Sequence, residues 1–79
     1  MDKVELKKQL EQGLLIKARE LQSEAIEGML RVTVEAMTAM MLGRNMQAEF
    51  FLRAARGFAD AAETALRAIE SLEVSREDL

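Results

Sequence analysis

The sequence contains no cysteine, no histidine, no proline, no tryptophan and no tyrosine in 79 residues. Without cysteine there is no disulfide framework and no thiol nucleophile, which suits a protein of the reducing cytoplasm. Without histidine the chain lacks the commonest general base and the commonest metal ligand of proteins. We therefore expect no enzyme activity, no catalytic residue, no metal site and no other cofactor.

The sequence also shows no hydrophobic run typical of a membrane-spanning or targeting segment. The longest uncharged run, AMTAMMLG at 36–43, is far shorter than the roughly 20 residues that a transmembrane helix needs. The first residues, MDKVELKKQLEQ, lack the apolar core of a signal peptide. A net charge of −3 argues against a general binder of polyanions. We expect a cytoplasmic protein with no membrane partner.

Helix-forming residues dominate what is present. The chain is 49% hydrophobic and 32% charged, which is too apolar for a disordered chain. Proline is absent and glycine occurs only at 13, 28, 43 and 57, so few positions interrupt a helix. The composition predicts an all-α fold in one small domain spanning 1–79.

The helix boundaries follow from three local signals. Asp2 with Glu5 resembles a capping box, and it predicts a helix start. Gly43 suits the left-handed position that ends a helix, and Asn45 is a favourable N-cap for the next one. These signals predict a long helix at about 3–42, a turn at 43–45 and a helix at about 46–73. A link this short folds the helices into an antiparallel hairpin, with residues 1–13 and 74–79 expected to fray.

Apolar residues recur along both predicted helices with steps of three and four. In the first helix they fall at 10, 14, 18, 21, 25, 29, 32, 36 and 39 or 40, while Lys7 and Glu11 lie on the side that is apolar later. Whether this helix continues through Gly13 and Gly28 is left open by the sequence. The predicted interface and core residues are Ala25, Met29, Val32, Ala36, Met40, Phe51, Ala55, Phe58, Ala62, Ala65, Ile69 and Leu72.

The apolar surface is wider than one hairpin can cover. On the second helix it spans about 200°, whereas a helix that packs on a single neighbour needs about 100°. We therefore predict self-association into a four-helix bundle or coiled-coil assembly, as a homodimer or a higher oligomer. The methionines near the turn fit either a bundle core or a surface for another protein. The predicted partner surface comprises Leu30, Met37, Met41, Met46, Phe50, Leu52, Ala54 and Ala61.

A second interpretation concerns nucleic acid. Arg44, Arg53 and Arg56 lie near Phe50, and arginine beside an exposed aromatic ring can contact RNA. In outline the chain resembles small RNA-binding helical hairpins of the Rop type, which dimerise into four-helix bundles. It is similar in the same way to the small two-helix co-chaperones of bacterial type III secretion. Both resemblances are of architecture.

We predict a non-enzymatic protein–protein interaction module, a self-associating helical hairpin that acts as a small adaptor, chaperone or inhibitor of a larger protein. A Rop-like RNA-binding hairpin dimer is the alternative. Nucleic acid is the less favoured partner, because Glu49 and Asp60 dilute the charge of the arginines.

Overall fold

The computed structural model describes the backbone of residues 2–77 and the side chains of residues 2–74. Helix α1 covers Lys3–Met41 and helix α2 covers Asn45–Glu77, and this part of the chain contains no strand. The two helices form a hairpin that measures 61 × 17 × 13 Å. The predicted all-α, two-helix hairpin is confirmed. Neither helix, over its described residues, has the length and apolar character that crossing a membrane requires.

Helix α1 begins where the sequence predicted and runs without a break. The backbone N–H of Val4 donates a hydrogen bond to Asp2 Oδ1 at 3.2 Å, which makes Asp2 the N-cap. The helix then continues through Gly13 and Gly28, so the glycines that the sequence left open do not interrupt it. At the other end, α2 extends to Glu77, beyond the predicted end at about 73. Of the segments predicted to fray, residues 3–13 and 74–77 are helical, and 1, 78 and 79 lie outside the described residues.

The turn is closed by the left-handed conformation of Gly43, whose φ is +73°. Its N–H donates to the carbonyl of Met40 at 3.1 Å, and the N–H of Arg44 donates to the carbonyl of Ala39 at 2.8 Å. These two bonds form a Schellman motif, which satisfies the last carbonyls of α1. The predicted role of Gly43 is therefore confirmed.

The start of α2 differs from the prediction by one residue. The carbonyl of Arg44 accepts the first helical hydrogen bond, from the N–H of Ala48 at 3.0 Å, and Asn45 already lies inside the helix. Arg44 is thus the N-cap, and Asn45 as N-cap was wrong. The reason is that Arg44 takes part in both helix ends: its N–H closes α1 and its carbonyl accepts the first hydrogen bond of α2, so Asn45 is already the first residue of α2.

The two helices pack along one seam, in which positions alternate by four and three residues. Such a repeat of 3.5 residues per turn keeps one row facing a neighbouring helix over a long distance. On α1 the seam comprises Glu11, Leu15, Ala18, Gln22, Ala25, Met29, Val32, Ala36 and Ala39. On α2 it comprises Ala48, Phe51, Ala55, Phe58, Ala62, Ala65, Ile69 and Leu72, the row predicted for this helix extended by Ala48.

In the first half of α1 the predicted apolar row was wrong by one position. The seam takes Glu11, Leu15 and Gln22, and Glu11 is 8% exposed with Lys7 Nζ 3.9 Å from its carboxylate. Continuing the strict alternation of four and three backwards from Ala25 leads to these positions, so the seam of the second half extends through the first without a change of phase. The residues left outside the seam are Leu10, Leu14 and Leu21, which are 61%, 59% and 48% exposed.

The seam holds the helices close together but buries little apolar volume. Six of its eight buried hydrophobic residues are alanines, and the two larger ones are Leu15 and Ile69. These two side chains pack with Ala18 and Leu72 near the open end of the hairpin. Midway along the seam the ring of Phe58 lies against Gly28, where an added Cβ would be 2.6 Å from Cε1 of the ring. Any larger residue at position 28 would force the ring or the backbone to move.

Candidate interaction surfaces

The residues predicted for the interface and core divide into three groups. Ala25, Ala36, Ala65 and Ile69 are buried, and Met29, Val32, Phe51, Ala55, Ala62 and Leu72 are half-buried. Phe58 and Met40 are 36% and 50% exposed. Met40 lies beside the seam, because Ala39 is the residue that continues the alternation after Ala36. In a single hairpin, Met40 therefore has no neighbour on its outer side.

An ion pair near the open end identifies which rows of the two helices share a face. Arg19 Nη2 of α1 lies 3.1 Å from Glu73 Oε1 of α2, so both side chains point to the same side of the hairpin. Because the seam repeats every seven residues, residues seven apart stay on the same side of it. Steps of seven from Arg19 lead to Ile26, Thr33 and Met40. Steps of seven back from Glu73 lead to Leu66, Ala59 and Leu52.

We call this side the front face, and its α1 part is a second apolar row beside the seam. Leu30 and Met37 complete the row, because each lies three residues from one of the positions reached from Arg19 and four from another, on the outer side of the helix. The row again alternates by four and three, the spacing of a heptad seam. Its large side chains are between 40% and 58% exposed in the hairpin. The front face comprises Ile26, Leu30, Thr33, Met37 and Met40 of α1 with Leu52, Ala59 and Leu66 of α2.

The front face is uncharged along α1, and the Arg19–Glu73 pair marks its end. Thr33, at the middle of the row, is half-buried, and its hydroxyl donates to the carbonyl of Met29 at 2.7 Å. The hydroxyl is therefore satisfied within the helix and does not need water. The row can lose its hydration without leaving a buried polar group unpaired.

The opposite side, the back face, has a different composition. Near the open end Leu14 and Leu21 border a shallow groove whose other wall is formed by Ala61 and Ala68 of α2. Further along α1 the same side carries charged residues. Glu24 and Arg31 lie seven and fourteen residues after Lys17, which lines the groove, and Glu35 lies fourteen residues after Leu21. On the back face of α1 charged residues therefore follow the leucines, and this face has no long uncharged row on α1.

A third apolar surface caps the turn. Met41 and Met46 are 86% and 87% exposed, and Leu42 and Phe50 are 60% and 68% exposed. The ring of Phe50 meets that of Phe51 edge to face, with centroids 5.7 Å apart. We call these four exposed residues, Met41, Leu42, Met46 and Phe50, the turn cluster.

The predicted partner surface is divided among these three regions. Leu30, Met37 and Leu52 belong to the front face, and Met41, Met46 and Phe50 belong to the turn cluster. Ala54 and Ala61 lie on the back face, at steps of seven from Ala68. The sequence indicates an excess of apolar surface on each helix. It does not indicate which row of α1 lies beside which row of α2, because that requires a contact between the two helices. The predicted partner surface does not include Ile26, Thr33, Ala59 and Leu66 of the front face.

The three arginines considered for nucleic acid lie at the turn and in the first half of α2. Arg53 Nη2 is engaged by Glu49 Oε1 at 2.9 Å on the exposed side of α2. Arg44 is the N-cap residue at the turn. Arg56 is exposed and lies three residues after Arg53 on α2. Within the described residues, no group of three or more acidic side chains is placed to hold a metal ion. Comparisons with protein-family models, curated protein sequences and solved structures find no match to this chain.

Proposed function

We propose that the chain is a non-enzymatic protein–protein interaction module, a helical hairpin that pairs with a second copy of itself to form a four-helix bundle. As a dimer it serves a larger protein as an adaptor, chaperone or inhibitor. One observation carries the proposal. Among the described residues, nineteen large hydrophobic side chains are at least 36% exposed, while two are buried. A domain of this size needs a larger core than that, and association with a second chain supplies one.

The surface area of the hairpin supports association. Its accessible surface is 6203 Å². A compact chain of 8.9 kDa exposes about 4,800 Å², so the hairpin exposes about 1,400 Å² more. Its radius of gyration is 17.9 Å, against about 12 Å for a compact chain of this length. A standard interface takes about 800 Å² from each partner. The excess surface is therefore sufficient for a stable dimer.

The turn cluster supports a role toward another protein. Methionine is flexible and polarisable, and surfaces rich in it accept varied apolar partners. Met41 and Met46 are the two most exposed large hydrophobic residues of the described chain, and Phe50 beside them offers a rigid aromatic anchor. We propose that the turn cluster binds an apolar site of the larger protein, while the second copy covers other apolar surface.

Unfolding measured at several protein concentrations tests self-association. If unfolding separates two chains, a tenfold rise in concentration adds about 1.4 kcal/mol to the free energy of unfolding per mole of dimer. A midpoint that does not move with concentration would contradict the proposal. Far-UV circular dichroism is the appropriate signal, because the chain has neither tryptophan nor tyrosine.

Two matched variants localise the effect. Leu30 is on the front face and 58% exposed, whereas Leu10 lies outside it and is 61% exposed. We expect Leu30→Lys to remove the concentration dependence and Leu10→Lys to keep it, since both change an exposed leucine of α1 to the same charged residue. A titration of the chain with RNA at low and high salt tests the RNA alternative separately from self-association. Apolar association persists in high salt, whereas binding to RNA weakens steeply.

A further inference from the structure

We infer that the second copy docks on the front face in antiparallel orientation, with a two-fold axis beside Thr33 that brings α1 of one copy against α1 of the other. The inference rests on the proposed self-association and specifies its geometry. Three observations on the front face lead to it: where its apolar surface is concentrated, how its large side chains are spaced, and what occupies its centre.

The apolar surface of the front face is concentrated on α1. Outside the front row of α2 the next positions round the helix are Glu49, Arg56 and Glu63, which are charged and exposed. The corresponding outer positions on α1 are uncharged, and they include Leu30 and Met37. Two hairpins stacked face to face about a two-fold axis have two arrangements. The axis either crosses the helices, so that α1 meets α1, or runs along them, so that α1 meets α2. The second arrangement places the large apolar side chains of α1 against the charged border of α2, so the first is favoured.

The large side chains of α1 are spaced symmetrically about Thr33 to within one residue. Ile26 lies seven residues before it and Met40 seven after it. Leu30 lies three before and Met37 four after. When two such rows run antiparallel about Thr33, Ile26 meets Met40 of the second copy, and Leu30 meets its Met37. Every large side chain is then opposite another large side chain, as an isologous interface requires.

The centre of the row suits the point where the two helices come closest. Thr33 is the smallest side chain of the α1 row, so it lets the backbones approach. Its hydroxyl already donates to the carbonyl of Met29 at 2.7 Å, and it loses no hydrogen bond when a second chain excludes water. Glu27 borders the row. In the antiparallel pair Glu27 lies level with Ala39 of the second copy. The two copies of Glu27 are therefore far apart and do not repel each other.

Cysteine cross-linking tests the position of the axis, because the chain contains no cysteine. Three threonines provide matched sites, since each donates its hydroxyl to the carbonyl four residues before it: Thr33 to Met29, Thr38 to Val34 and Thr64 to Asp60. We expect Thr33→Cys to form disulfide-linked dimers under mild oxidation. Thr38→Cys and Thr64→Cys lie off the front face, so these variants should form no disulfide-linked dimer. A short bismaleimide, applied to the same three variants, extends the reach of the assay beyond the strict geometry of a disulfide.

A second pair of variants tests the orientation. An equimolar mixture of Ile26→Cys and Met40→Cys chains should cross-link into a heterodimer, and neither variant should cross-link with itself. Self-linking of Ile26→Cys, or linking of Thr38→Cys or Thr64→Cys as readily as Thr33→Cys, would overturn the inference. So would the absence of any Thr33→Cys link in a sample that light scattering shows to be dimeric. If that sample is monomeric, the proposed self-association itself fails, so the two failures are distinguishable.

Discussion

Replacing Gly28 by alanine tests whether the ring of Phe58 lies across α1 as the hairpin places it. In an open helix interior, glycine to alanine stabilises the helix by about 1 kcal/mol. At Gly28, however, the new Cβ would lie 2.6 to 2.8 Å from three carbons of the Phe58 ring. Such a contact forces the ring or the backbone to move, at a cost of about 1 to 3 kcal/mol. We therefore expect Gly28→Ala to lower the free energy of unfolding by up to about 2 kcal/mol.

Gly13 and Gly57 are the matched controls, because a Cβ at either position meets no atom within 4 Å. Gly13→Ala and Gly57→Ala should each raise the free energy of unfolding by about 0.5 to 1 kcal/mol. Urea unfolding followed by far-UV circular dichroism, at one protein concentration for all variants, measures the difference. Adding Phe58→Leu to Gly28→Ala should recover part of the loss, which a double-mutant cycle quantifies. If Gly28→Ala stabilises the protein as much as Gly13→Ala does, the ring of Phe58 does not lie against Gly28.

Three further predictions concern the turn and its surroundings. Because Gly43 has a φ of +73°, Gly43→Val should lower the free energy of unfolding by roughly 1 to 2 kcal/mol; unchanged urea unfolding would argue against the left-handed turn. Hydrogen peroxide should oxidise the exposed Met41 and Met46 before the half-buried Met29, as peptide mass spectrometry can show, and the reverse order would contradict the assigned burial. Phe50→Ser should leave the circular-dichroism signal of the helices intact, because the ring is 68% exposed; loss of helix would place Phe50 in the core.

Much of the fold was predictable because the strongest local signals agree with the packing. Gly43 is the one residue described with a positive φ, and the sequence placed the turn there. The seam of α2 was predicted residue by residue from Phe51 to Leu72, since its apolar positions follow a strict alternation of four and three. A repeat that matches the helical period fixes the buried side without any knowledge of the neighbour.

The first half of α1 was less predictable, because polar residues occupy seam positions there. Glu11 and Gln22 lie in the seam, while Leu10, Leu14 and Leu21 lie outside it. The hydrophobic pattern alone therefore favours the wrong phase over this segment. The division into front and back faces depended on a contact between residues 54 positions apart, Arg19 and Glu73, which periodicity within one helix cannot reveal.

Sedimentation equilibrium of the unmodified chain, at micromolar concentration and with interference optics, tests self-association most directly. One chain has a mass of 8.9 kDa. We predict a mass of two chains, about 18 kDa, that persists in high salt because the contact is apolar. A mass of one chain, in a sample that unfolds cooperatively and without dependence on concentration, would contradict the proposal that a second copy covers the exposed apolar surface.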